Sequence, residues 1–234
     1  GAEISDVARS SFSGERNALF ANRLLIVYVG LTLLTMFALK LTGLGWFDAA
    51  AHAMSACSTC GFSTRNASIA AFNNPAAEVV LTFSMLAAAL NFGLIFLSFV
   101  RGGKKIWHSE TVRVFLGLVA LFIVVIAIDL YRSEGYDSAA RALRDASFQV
   151  ASLSTTTGFA TSDTVQWPAL SMVLLWLCSW VCGCSGSTSG GIKMDRFLLA
   201  VKGIRSRIRS AVNPGQFWIV RVSGKVRSAE QVSE

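Results

Sequence analysis

Two heptapeptides in this chain of 234 residues present the same chemical groups in the same order. Ser58-Thr59-Cys60-Gly61-Phe62-Ser63-Thr64 and Thr155-Thr156-Thr157-Gly158-Phe159-Ala160-Thr161 lie 97 positions apart. Each runs through hydroxyl residues to Gly and Phe, and reaches Thr after one more residue. A row of carbonyl oxygens is the means by which a protein replaces the water shell of a cation. One such turn is an ordinary tight turn. Two of them, in matching positions of matching units, point to a shared central site, because internal symmetry in membrane chains usually surrounds one. The chemistry expected here is cation coordination.

The flanking elements must then cross a membrane. The chain is 53% hydrophobic and 15% charged, against about 25% charged in a soluble domain. Leu24–Leu39, Val79–Val100, Val114–Ile128 and Val165–Ile192 carry no charge. A span needs roughly 20 apolar residues, which predicts four spanning helices near 22–44, 76–100, 112–131 and 167–201. Between them, Phe47–Ala56 and Ala139–Leu153 are too short to cross. They read as pore helices ending at the Gly-Phe turns, with the negative ends of their dipoles facing the centre. Asp48 suits the first turn of its helix. Gly61 and Gly158 fit a backbone that needs positive φ. Phe62 and Phe159 are expected to wedge the turns, and Thr64 and Thr161 to bond the ascending strands. Pro75 and Pro168 are expected in the tolerant first turn of the next helix.

The fold class is therefore all-α membrane protein, built as two repeats of membrane helix, pore helix, filter and membrane helix. The boundaries are an N-terminal segment 1–17, a first repeat 18–101, a loop 102–110, a second repeat 111–201 and a basic segment 202–234.

In the second repeat the last helix is interrupted by Gly183-Cys184-Ser185-Gly186-Ser187-Thr188-Ser189-Gly190-Gly191. Four glycines in nine residues do not sustain a helix. Such a loop at membrane depth is expected to sit below the turns and obstruct the path. It is not a phosphate cradle. That motif places Lys and Ser/Thr directly after its last Gly, whereas Ile192 separates Gly191 from Lys193 and no hydroxyl follows. Asn91-Phe92-Gly93 is a milder counterpart in the first repeat.

Charge sets the orientation. The N-terminus, the 101–113 loop and residues 193–234 hold 16 of the 21 Lys and Arg, so that side is expected to be cytoplasmic, with both termini inside. The other side carries Asp129, Glu134, Asp137, Asp145 and Asp163, which would gather cations at the mouth. Basic segments beside a membrane suit anionic lipid or a cytosolic partner. No nucleic-acid-binding motif is present. Residues 1–23 lack a signal peptide, and the first residue, Gly1, suggests a fragment or processed chain. Cys57 and Cys60 have zinc-type spacing, but with Cys178, Cys182 and Cys184 they read as packing residues between helices. His52 reads as a packed pore-helix residue and His108 as a solvated one. No nucleophile, base and acid assemble, so no enzyme is expected.

The paired Gly-Phe turns, the loop Gly183–Gly191 with Ile192-Lys193, and Asn213-Pro214 in a basic tail resemble the bacterial Trk potassium-uptake subunits of the Trk/Ktr/HKT superfamily. The resemblance covers about residues 15–230 and is most specific in the Gly/Ser loop. It implies four membrane–pore–membrane repeats around one pore, of which this chain is similar to the second and third. The implied potassium filter comprises Ser58, Thr59, Cys60, Gly61 and Phe62, with Thr155, Thr156, Thr157, Gly158 and Phe159. By the same resemblance, potassium itself would be held at Thr59, Cys60, Gly61, Thr156, Thr157 and Gly158. The loop Gly183–Gly191 is the implied gate. The implied partners are the missing repeats or a second subunit, as in the family's homodimer, a cytosolic nucleotide-binding regulator, and inner-membrane lipid. No organic cofactor is implied. Three features depart from the pattern. The first and fourth repeats, with the fourth-repeat arginine, are absent. Cys57 and Cys60 are unusual, and Ser189 stands where Gly is usual.

Two other readings compete. A complete two-repeat channel that dimerises would place two obstructing loops under one pore. A membrane sensor that moves no ion would need a sizeable soluble domain, which the chain does not contain.

Overall fold

The computed structural model describes residues 2–101, 104–133, 136–212, 220–222 and 225–227. Gly1, Glu134 and Asn213-Pro214 lie outside the described residues.

Helix α1 (Ala2–Leu41) contains an apolar stretch, Ala21–Leu41, long enough to cross a membrane. It ends three residues earlier than the sequence predicts. Gly43 has φ of +100°, and the Lys40 ammonium turns onto the Leu44 carbonyl at 3.1 Å. The helix also runs back through most of the expected N-terminal segment. Short helix α2 (Trp46–Cys57) follows. Helix α3 (Pro75–Ala88) starts at Asn74, whose Oδ1 accepts from the N–H groups of Ala76 and Ala77. Pro75 takes the first helical position, where its missing N–H costs nothing.

Residues 76–100, expected as one spanning helix, are not one helix. Helix α4 (Phe92–Arg101) leaves α3 at 96°. Asn91 causes the break: its Oδ1 accepts the Leu94 N–H at 3.0 Å and so caps a new helix. The counterpart read as milder in sequence is thus a right-angle turn.

Helix α5 (Lys104–His108) leads into α6 (Glu110–Arg132), a full span, and α7 (Ala139–Ser154) is the second short helix. Helix α8 (Ala169–Cys178) follows, with Pro168 at its cap rather than inside its first turn. Asp129 of α6 accepts from both the backbone and the hydroxyl of Ser171, at 3.1 and 2.6 Å, tying the start of α8 to α6. The break then opens at Ser179, four residues before the glycine-rich run. Strands β1 (Val181–Cys182) and β2 (Ile192–Lys193) pair in parallel and close the base of the loop, and α9 (Met194–Val212) continues from them. Strands β3 (Val220–Val222) and β4 (Lys225–Arg227) form an antiparallel pair.

Alanines set how closely the short helices pack. Ala49, Ala53 and Ala56 of α2 are buried with Leu81 and Met85 of α3. Ala142, Ala146 and Val150 of α7 share a core with Phe115, Val119 and Ile126 of α6. Phe148 and Ala151, also on α7, join the core of the first repeat instead. Helix α7 therefore bridges the two cores, and small residues allow that approach without a hydrophobic drive between helices. Arg144 of α7 pairs with Glu78 of α3 at 3.1 Å across the same seam.

Asn74 both caps α3 and donates to the Thr42 carbonyl at 2.8 Å. Asn74→Ala is expected to destabilise the protein by about 1 kcal/mol or slightly more, and Asn74→Asp, which keeps the cap, by less. Thermal unfolding in detergent measures this; an unshifted midpoint for the alanine variant refutes it.

Candidate functional site

Both short helices end in the same way. Beyond α2, the Thr59 N–H bonds Ala56 O at 3.2 Å and the Cys60 N–H bonds Ser55 O at 3.0 Å. Beyond α7, the Thr156 N–H bonds Leu153 O at 3.0 Å and the Thr157 N–H bonds Ser152 O at 2.9 Å. This is the reverse-turn cap in which one residue adopts the left-handed conformation, a place normally taken by Gly. Here it is taken by threonines, Thr59 with φ of +52° and Thr156 with φ of +58°. A β-branched residue at positive φ is a true outlier, and such strain collects at functional sites. Two residues on, Gly61 and Gly158 have φ of +75° and +86°. The repeat of 97 positions seen in sequence is thus a repeat of backbone conformation.

The two turns approach each other directly. A Cβ on Gly61 would fall on the carbonyl of Thr157, whereas a Cβ on Gly158 would meet open space. In the second turn, Thr155 and Thr157 are buried and their hydroxyls lie 2.7 Å apart. The Ser152 hydroxyl donates to Phe159 O at 2.7 Å. Phe159 is buried and wedges the second turn against the His52 ring of α2, centroid to centroid 5.8 Å. Phe62 does not wedge its turn. It is 80% exposed and, with Tyr28, Met54, Ser58 and Cys60, borders an open cavity of about 340 Å³.

The ascending segments differ. The Thr64 hydroxyl donates to Asp48 Oδ1 at 2.6 Å, and Arg65 pairs with the same carboxylate at 3.3 Å. The Thr64 hydroxyl, and after it Arg65, hold the Asp48 carboxyl below its ordinary range. Thr161 makes no such bond, and its hydroxyl is buried without a protein partner. The second segment is held instead by the first repeat, through Ala160 N–H to Ser68 Oγ at 3.2 Å and Ala70 N–H to Ala160 O at 3.1 Å. His52 is buried as expected and bonds Asp48 O and Ser63 Oγ at 2.7 and 2.8 Å.

The loop Gly183–Gly191 touches both turns. The Thr59 hydroxyl shares its proton between Ser58 O at 2.8 Å and Thr188 O of the loop at 3.0 Å, and the Gly190 N–H donates to the Thr156 hydroxyl at 2.6 Å. Both strained threonines therefore direct their side chains to the loop. The loop also uses the broken helix of the first repeat. Cys184 N–H bonds Ala89 O at 2.8 Å, Thr188 N–H bonds Ala88 O at 3.3 Å, and Phe92 N–H bonds Gly186 O at 3.0 Å. A Cβ on Gly183 would stand 2.6 Å from Ala89 O, so only Gly fits there. Ser189 closes the loop on itself, because its hydroxyl accepts the Gly183 N–H at 3.1 Å. The Lys193 ammonium bonds the Ser189 carbonyl.

A family model described as a cation transport protein, TrkH, matches residues 15–227. The chain belongs to the TrkH family. It is 33% identical to the Trk system potassium uptake protein TrkH of Salmonella typhimurium over 225 residues, 96% of this chain and 47% of that one. To TrkI of Halomonas elongata it is 33% identical over 207 residues, 88% of this chain and 42% of that one. The crystal structure of the potassium transporter TrkH from Vibrio parahaemolyticus superposes with a TM-score of 0.87 at 34% identity, covering 93% of this chain and 47% of that one. The chain thus spans about half the length of these relatives. Its TrkH membership and its apolar helices make it a membrane protein, and the relatives named are transporters, not enzymes.

The zinc-type spacing of the cysteines does not build a metal site. All five cysteines are free thiols. Among the described residues no three His, Cys, Asp or Glu side chains gather as a metal site. Two of the carboxylates expected to gather cations are occupied structurally: Asp145 accepts from Tyr136 at 3.0 Å, and Asp163 caps Val165 at 3.1 Å. Sequence reasoning named Asn91 as part of a mild break but missed its capping role, and missed Asp195 and Ser68 altogether. Only Asn91 left a signal, a capping residue inside an apolar run.

Gly61→Ala must displace the Thr157 carbonyl as well as hold positive φ, whereas Gly158→Ala bears only the conformational cost of about 1–2 kcal/mol. The first is expected to lower the unfolding midpoint several degrees more than the second. Equal midpoints contradict the close approach of the two turns.

Proposed function

We propose that this chain forms the second and third repeats of a potassium-uptake subunit and lines half of its pore. The filter is Ser58–Phe62 with Thr155–Phe159, and carbonyls and hydroxyls of residues 59–61 and 156–158 replace the water of a potassium ion. One observation carries this reading: two turns of matching backbone conformation, 97 residues apart, each bind the same loop through a strained threonine. The loop Gly183–Gly191 obstructs the path beneath them. With its hydrogen bonds in place, the hydroxyls of Thr59 and Thr156 face the loop instead of an ion. Opening releases them.

Supporting the substrate, the relatives named above are called potassium uptake proteins. The open side at Tyr28, Ser58 and Cys60 suits contact with the remaining repeats or a second subunit. The repeats run through 18–101 and 111–201. Both termini are cytoplasmic in the inner membrane, with the basic stretch about Arg101–Arg113 and the tail from Lys202 to Arg227 set toward lipid headgroups and a cytosolic nucleotide-binding regulator. No nucleic acid and no organic cofactor take part.

Two variants of the whole subunit test the reading. Gly158→Ser adds a side chain into open space beside the proposed ion path and is expected to weaken preference for rubidium over sodium in liposome uptake; an unchanged ratio refutes the filter. Deleting Ser187–Gly190 removes both contacts of the loop with the threonines and is expected to raise basal uptake. Normal, still regulated uptake would reduce the loop to a kink.

A further inference from the structure

Ser185, in the loop, has both of its backbone polar groups taken by side chains. Its carbonyl accepts from Asn91 Nδ2 at 2.5 Å, and its N–H donates to Asp195 Oδ2 at 2.8 Å. The second oxygen of Asp195 accepts the Thr111 hydroxyl at 2.7 Å. Thr111 is buried in the first turn of α6, and Asp195 lies in the first turn of α9. One carboxylate therefore meets the positive ends of two helices and suspends the loop from them. Charge at such ends is favoured by the helix dipole, and hydrogen bonds to a charged group are the stronger kind. Two turns further along α9, Lys202 pairs with Glu110 of α6 at 2.5 Å. Helix α9 is thus joined twice to the N-terminal turn of α6, beside the loop.

We propose that Asp195 is a positioning residue that clasps the loop in its obstructing position by bridging Ser185 to Thr111. This rests on the reading of the loop as the obstruction. Asp195 touches no ion. It converts the position of α9 against α6 into the position of Ser185, because the three groups share one carboxylate. A displacement of α9 that separates Asp195 from Thr111 withdraws the Ser185 N–H partner as well. The loop then keeps its contacts with the first repeat and the two threonines, and at its base the bonds from Met194 N–H to Gly183 O and from Lys193 to Ser189 O, but Ser185 itself loses its tie to α6. The clasp gives a movement begun at the cytoplasmic end of α9 a mechanical route to the pathway.

The test uses the whole membrane subunit in liposomes, with two readouts. One is basal rubidium entry. The other is maleimide modification of Cys184, measured by peptide mass spectrometry; that thiol is 1% exposed and its N–H is held by Ala89. Asp195→Ala is expected to raise both about tenfold, the scale of losing the loop's own bond, from the Ser185 N–H to a charged group. The ratio of rubidium to sodium entry stays unchanged, because neither turn is altered. Asp195→Asn is expected to stay near the parent. Its oxygen still accepts from Ser185, and the Thr111 hydroxyl rotates to accept from the amide. Thr111→Val keeps the Ser185 bond and is expected to raise both readouts about threefold. Cys184 modification at the parent rate in Asp195→Ala overturns the clasp. Faster modification with unchanged rubidium entry upholds the clasp and overturns the obstructing role of the loop. Should Asp195→Ala fail to insert, Thr111→Val decides by the same modification rate, with the parent value overturning the clasp.

Discussion

Nine residues rich in glycine lie between α8 and α9, at what the proposed function makes membrane depth, and every N–H and C=O they free from helical pairing must find a partner there. Hydrocarbon offers none, so irregular backbone survives at that depth only against protein or water. Much of the architecture follows from this requirement. The loop 183–191 takes its donors and acceptors from the end of α3, from Asn91, from Asp195 and from the two strained threonines. The right-angle break between α3 and α4 is the other half of the same arrangement. Its freed carbonyls at Ala88 and Ala89 are the acceptors the loop needs. Two interrupted helices, each unable to satisfy itself, satisfy one another.

The same requirement explains the threonines. At the left-handed position of a helix cap, glycine removes the strain that a β-branched residue incurs. Thr59 and Thr156 incur it and use the hydroxyl to hold the loop. In the proposed cycle those hydroxyls have two alternative occupations, loop or ion. The closed arrangement is then stabilised at the site where the ion must bind, which makes obstruction and permeation mutually exclusive by chemistry as well as by bulk.

Much of this was legible in the chain. The 97-residue repeat located both short helices to within a residue or two, and Gly61 and Gly158 marked positive φ correctly. Hydropathy gave α6 almost to its ends. The 76–100 span misled because its apolar run is unbroken: one Asn in 25 residues does not disturb hydropathy, yet its side chain caps a new helix. The same limit hid the roles of Asp129, Asp145 and Asp163. As sequence they are an acidic rim, whereas in the fold they cap, brace and pair. Phe62 and Phe159 hold equivalent positions in the repeat, but only Phe159 packs against a neighbouring helix of this chain. Contacts between distant segments, such as Asp195 with Thr111, leave no periodic trace.

Carbonyls of residues 59–61 and 156–158 are proposed to hold a dehydrated potassium ion, and the rest of the mechanism depends on it. Anomalous diffraction from crystals of the whole subunit grown in rubidium tests this most directly. The expected result is a rubidium peak within coordination distance of those carbonyls, lost when sodium replaces rubidium. A rubidium peak elsewhere along the pathway, with none at the two turns, would contradict it.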